Sequence, residues 1–166
     1  MNSERFLPAR EWRPYPGEGP SGALTEDAND LVTAWGFCPT ATELIHCLVG
    51  LPVTWDRGAL EVQPYWYQKE AEVVAGHAVV WGCYAKATDH GGALGAPTGT
   101  GGALITSFVP TWHQLVVADA AAFTPQGTPT AGQVVQLVVY RSPGHEADTW
   151  AGTPWLIGVR LRWTEA

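Results

Sequence analysis

Lysine is nearly missing from this chain: Lys69 and Lys86 are the only two in 166 residues, and 16 acidic groups face 9 basic ones for a net charge of -7. Phosphate binding needs clustered positive charge, so no nucleic-acid partner is expected. Long apolar runs are missing too, with none approaching the roughly 20 residues of a membrane-spanning helix, so no membrane partner is expected either. The opening MNSERFLPAR lacks the basic-then-apolar order of a secretory signal, which points to a protein made in a cytoplasm.

The patterns that announce chemistry are equally scarce. Histidines stand at 46, 77, 90, 113 and 145, with no HisXHis or CysXXCys pair to aim two ligands at one ion. No metal or other cofactor is expected. The four serines, at 3, 21, 107 and 142, lie in no GlyXSerXGly elbow, and the Gly-rich stretch 99 to 102 lacks the GlyLys of a phosphate loop. Three cysteines, Cys38, Cys47 and Cys83, are an odd number in apolar contexts, which favours buried free thiols over a disulfide. Glu43, Glu61, Glu70, Glu72 and Asp148 could converge as a glycosidase pair, but solvated charge on strands and loops is the default reading. The expectation is a protein that is not an enzyme.

What the chain does have is alternation. From Trp155 to Trp163 the odd positions carry Trp155, Ile157, Val159, Leu161 and Trp163, whereas Arg160 and Arg162 fall on the even ones. A period of two is that of a half-buried strand, whose apolar side needs a second sheet against it. Similar strands are read over 31 to 38, 43 to 51, 59 to 68 and 78 to 85, around 104 to 108 and 112 to 118, and over 133 to 141. Pro64 lacks a ladder donor, so the third of these should lie at an edge or carry a bulge. About eight strands with no convincing helix predict an all-β fold, an antiparallel two-sheet jelly-roll sandwich over residues 31 to 166.

Residues 1 to 30 hold Pro8, Pro14, Pro16 and Pro20 among several glycines and show no sustained periodicity. They read as an extended arm that Phe6, Leu7, Trp12 and Tyr15 dock onto its own domain or onto a neighbour. Sparse charge, 15 % of the chain, fits either a neutral surface or one covered by other subunits. The strand over 43 to 51 is apolar on both faces apart from His46. Leu44, His46 and Leu48 are therefore candidate subunit contacts, and a homotrimer is expected. Tyr65, Trp66 and Tyr67 form a second kind of candidate, a cluster for stacking on a sugar ring, with both tyrosines on the face opposite Trp66 beside Glu61 and Gln63.

Three stretches in succession carry a resemblance: LPVTWDRGALEVQPYWY at 51 to 67, AVVWGCYA at 78 to 85, and GTPTAGQVVQLVVYR at 127 to 141 with ADTW at 147 to 150 and LIGVRL at 156 to 161. Their order and spacing resemble the β-sandwich virion proteins of tailed bacteriophages, the head decoration, cement or fibre-like structural proteins. The resemblance implies a non-enzymatic, trimeric subunit on the outer capsid surface, with the major capsid protein of a phage head as its partner. The alternative is a carbohydrate-binding β-sandwich module.

Overall fold

The computed structural model describes residues 1–20, 25–27, 32–69, 75–88, 97, 102–110, 114–127, 130 and 132–166. Twelve strands run through them: β1 (Asn2–Pro8), β2 (Arg13–Pro14), β3 (Thr25–Asp27), β4 (Val32–Gly36), β5 (Leu44–Gly50), β6 (Trp55–Gln68), β7 (Ala78–Thr88), β8 (Ala103–Phe108), β9 (Val116–Val117), β10 (Ala121–Phe123), β11 (Val134–Arg141) and β12 (Pro154–Glu165). No α-helix occurs among the described residues; a single 3-10 turn, Ala9–Glu11, follows β1. The Gly-rich stretch 99 to 102 lies largely outside the described residues.

The strands form two antiparallel sheets packed face to face, as expected for the sandwich. Sheet A orders β10, β6, β12, β4 and β3, with β1 also on β12 and β9 also on β6; sheet B orders β2, β5, β11, β7 and β8. Inward residues from both sheets make one core: Trp55, Leu60, Val62 and Trp66 from β6 meet Val79, Trp81 and Cys83 from β7 and Val135, Leu137 and Val139 from β11. Such aromatic interdigitation buries large area per residue and fixes ring geometry; Phe37 and Trp81 stand edge to face at 5.2 Å.

Two irregularities explain where period-two reading fails. In β12 the register slips between Leu156 and Gly158, so Leu156 enters the core beside Val159 and Leu161, while Trp155 and Ile157 leave it. A bulge places two residues opposite one and swaps the faces on one side of it. Trp155 instead lies over Gly36, where an added Cβ would stand 3.0 Å from its ring. Pro64 in β6 is accommodated differently. Its carbonyl accepts from the Ala118 amide at 3.0 Å, so its nitrogen faces the same side, where β10 stops at Val62 and β9 begins at Tyr65. The missing donor thus falls at a gap in the ladder.

The expected arm is corrected over its first half. Asn2–Pro8 pairs with β12 through residues 158 to 164, Arg13 and Pro14 pair with His46 and Ile45, and Leu7, Ala9 and Trp12 lie in the core. Prolines suppressed the periodic signal without preventing pairing, because Pro8 ends β1 and Pro14 sits on an edge strand.

Candidate functional site

Strand alternation sends one set of side chains outward from sheet A. Pairing aligns them in rows across β1, β12 and β6: Glu4 with Arg162 and Glu61, then Phe6 with Arg160 and Gln63, while Gly158 stands opposite Tyr65. Arg162 joins both carboxylates, with Nε 3.0 Å from Glu4 and Nη1 2.8 Å from Glu61. Those hydrogen bonds, Glu61 first, raise the guanidinium above its ordinary value. Arg160 donates to the Gln63 side-chain carbonyl, and Gln63 donates in turn to the Ala118 carbonyl at 2.7 Å.

Beside this polar lattice lies an aromatic pair. Phe6 rests over Gly158, where a Cβ would approach its ring at 2.6 Å, and meets Tyr65 edge to face at 5.3 Å. The Arg160 guanidinium stands 5.9 Å from the Tyr65 ring, within cation–π range. An open cleft of about 540 Å³, lined by Glu4, Glu61, Ala122, Arg162 and Thr164 among others, runs along the polar end of the same face. Donors, acceptors and an aromatic ring therefore share one surface held by paired strands. That combination can orient a hydroxyl-rich ligand.

The outer face of sheet B is different. Leu44 and Val138 are buried there beneath Tyr84, Tyr15 and Tyr140, while Leu48 is 59 % exposed. His46 is half-buried, edge to face with Tyr15 at 5.7 Å, and its Nδ1 has no hydrogen-bond partner. Burial, and then the nearby Arg13 charge, push the His46 imidazole below its ordinary value. Burial also pushes Tyr84 up to about 12.

The residues singled out from sequence scatter accordingly. Leu7 and Trp12 are 1 % and 2 % exposed, so they anchor β1 to its own core and are unavailable to a partner; the Trp12 indole donates to the Leu7 carbonyl at 3.1 Å. Phe6 remains exposed on sheet A, and Tyr15 belongs to sheet B's tyrosine group. Of the three suggested contact residues, Leu44 is buried within the chain, leaving Leu48 and part of His46 at the surface. The sugar-stacking cluster is corrected too. Trp66 is fully buried with its indole on the Ser107 hydroxyl at 3.0 Å, and Tyr67 is buried; only Tyr65 of the three presents surface.

Sequence reasoning missed Glu4, Arg160 and Arg162 as one lattice. Arg160 and Arg162 were legible as outward residues, but their partner Glu4 required β1 to be recognised as a strand. Among the described residues, no group of three His, Cys, Asp or Glu side chains could hold a metal ion.

No family model matches the chain, and no curated protein matches it. Solved structures do. A family 35 carbohydrate-binding module from Clostridium thermocellum aligns with a TM-score of 0.50 at 10 % identity, over 96 % of this chain and 97 % of its own. TmCBM27, a carbohydrate-binding module described for specific mannan recognition, aligns at 0.46 and 9 % identity over 99 % of each chain. The enzymatically active domain of tailspike protein 4 from bacteriophage CBA120 aligns at 0.39 and 8 % identity, over 97 % of this chain and 19 % of that one. None of these three is a head decoration protein. At these identities the likeness is one of architecture, and the chain shares its two-sheet β-sandwich with a carbohydrate-binding module.

Proposed function

We propose that this protein is a non-catalytic carbohydrate-binding β-sandwich that holds a glycan against the outer face of sheet A. The observation that supports it is the juxtaposition of Tyr65 with Arg160, Gln63 and the Glu4–Arg162–Glu61 lattice, beside an open cleft. A sugar offers an apolar C–H face and a rim of hydroxyls that both donate and accept. An aromatic ring suits the first, and planar guanidinium, amide and carboxylate groups suit the second. The shared architecture with a carbohydrate-binding module is consistent with this reading, although a fold hosts many functions.

Attachment to a phage shell through an amino-terminal arm has the weaker basis, because two of its four anchors, Leu7 and Trp12, are enclosed in the core. A glycan array probed with the wild-type chain and Tyr65→Ala tests the proposal. Binding to a defined set of glycans that Tyr65→Ala loses supports it; an array with no signal above background overturns it.

A further inference from the structure

Aromatic side chains on a sheet stand roughly perpendicular to it, so a ring lying flat on the backbone needs a glycine beneath it. Tyr140 does this on sheet B. It pairs in register with Gly82, and a Cβ added to that glycine would fall inside the Tyr140 ring, near three of its carbons. One face of the ring therefore rests on the strand, and the half-buried residue turns the other outward.

Other polar aromatics share this face with it. Tyr84 stands 5.8 Å away at 55°, and Tyr15 and His46 stand on the far side of Leu44 and Val138, which the rings cover. Burial raises the phenols of Tyr84 and Tyr140, so both remain hydroxyl donors at neutral pH. His46 is half-buried on the same face, edge to face with Tyr15. The comparable ring on sheet A, Trp155 over Gly36, is capped by the Lys69 ammonium 3.8 Å from its centroid. Among the described residues, no cation lies over Tyr140.

We propose that the outer face of sheet B carries a second saccharide platform, on which Tyr140 stacks against a pyranose ring of a neutral glycan while Tyr84, Tyr15 and His46 meet its hydroxyls. The phenols and imidazole are themselves neutral, and Arg13 beside His46 and Glu18 near Tyr84 put one charge of each sign at the rim, which suits a neutral sugar. This surface lies on the opposite side of the sandwich from Tyr65, so its occupancy is independent of the sheet A reading.

Fluorine NMR of the full chain labelled with 3-fluorotyrosine distinguishes the two faces, because the five tyrosines include Tyr65 on one and Tyr15, Tyr84 and Tyr140 on the other. The Tyr140 resonance is assigned by its loss in Tyr140→Phe, and the probes are cellohexaose, mannohexaose and xylohexaose. The expected result is a saturable shift of Tyr140 with at least one hexasaccharide, retained in Tyr65→Ala and weakened at least tenfold in Gly82→Ala, whose methyl lifts the ring off the strand. If circular dichroism shows Gly82→Ala to be unfolded, Tyr140→Leu takes its place, since it keeps apolar cover over Gly82 without a stacking face, and its loss of binding is read from the resonance of the neighbouring Tyr84. A Tyr140 signal unmoved by all three sugars overturns the second platform, whether or not Tyr65 responds. A Tyr140 shift with Tyr65 silent supports it while counting against the sheet A site.

Discussion

Arg141 and Asp148 form a two-pronged ion pair inside the protein: Nε lies 3.0 Å from Oδ2 and Nη2 lies 2.7 Å from Oδ1, with the side chains 0 % and 1 % exposed. The guanidinium also donates to the carbonyls of Gly152, at 2.7 Å, and Trp150, while Asp148 Oδ2 accepts from the Val80 amide at 3.0 Å. The last residue of β11 is thereby tied both to β7 and to the segment that crosses into β12. All of the guanidinium nitrogens find partners, which is the condition under which a buried charge can be tolerated.

Asp148→Ala leaves that guanidinium buried without its counter-charge, so it should destabilise the fold by about 3–5 kcal/mol. Urea unfolding of the variant checks this. Arg141→Met combined with Asp148→Leu should recover much of the loss, because neither uncompensated charge remains. A single variant within about 1 kcal/mol of wild type contradicts the assignment.

The bulge in β12 makes a prediction that simple alternation does not. Leu156→Ala and Leu161→Ala, both at fully buried positions, should each cost about 2–5 kcal/mol, whereas Ile157→Ala should cost about 1 kcal/mol or less. Chemical denaturation midpoints of the three variants give the comparison. An Ile157→Ala loss equal to that of Leu156→Ala would restore uninterrupted alternation through residue 157.

Period-two patterning was sufficient for the all-β class, the two-sheet arrangement and most inward stripes, because a half-buried strand imposes its period on every residue it contains. Leu60, Val62, Trp66, Val79, Trp81 and Cys83 were legible in that way. Trp155 and Ile157 were not, since a one-residue slip leaves no mark in composition. Nor was β1: only Leu7 among its seven residues is fully buried, so no stripe announces it, and its pairing depends on a strand 150 to 162 residues away. The site was legible by halves. Glu61, Gln63 and Tyr65 share a face by alternation alone, whereas their neighbours Glu4, Phe6 and Arg160 depend on strand order.

The three thiols should differ sharply in reactivity. Hydrogen bonds from Thr40 lower the half-buried Cys38 thiol, while burial pushes Cys47 up to about 12 and Cys83 higher still. The thiolate is the reacting form, so iodoacetamide at pH 8 should modify one cysteine in the folded chain and three in urea. Mass spectrometry should place the single adduct on Cys38. Prompt labelling of Cys83 in the folded protein is the opposing result.

His46 should give stability a pH dependence of one sign. Its folded value lies below its unfolded one, chiefly through burial, so the unfolded chain takes up the proton first. The contribution is present above about pH 6.5 and is lost as pH falls below it. His46→Phe should flatten that part of the profile when urea midpoints are compared between pH 7.5 and pH 5. A wild-type midpoint that rises on acidification through this window contradicts the sign.

Binding at Tyr65 is tested most directly by isothermal titration of an array-selected oligosaccharide into the wild-type chain, Tyr65→Ala and Arg160→Ala, each with its melting temperature measured in parallel. Both side chains are partly exposed on sheet A, so both variants should fold. The account predicts saturable binding by the wild type and at least a tenfold loss of affinity in each variant, equivalent to about 1.4 kcal/mol or more, with melting temperatures little changed. Wild-type affinity in both variants would contradict it.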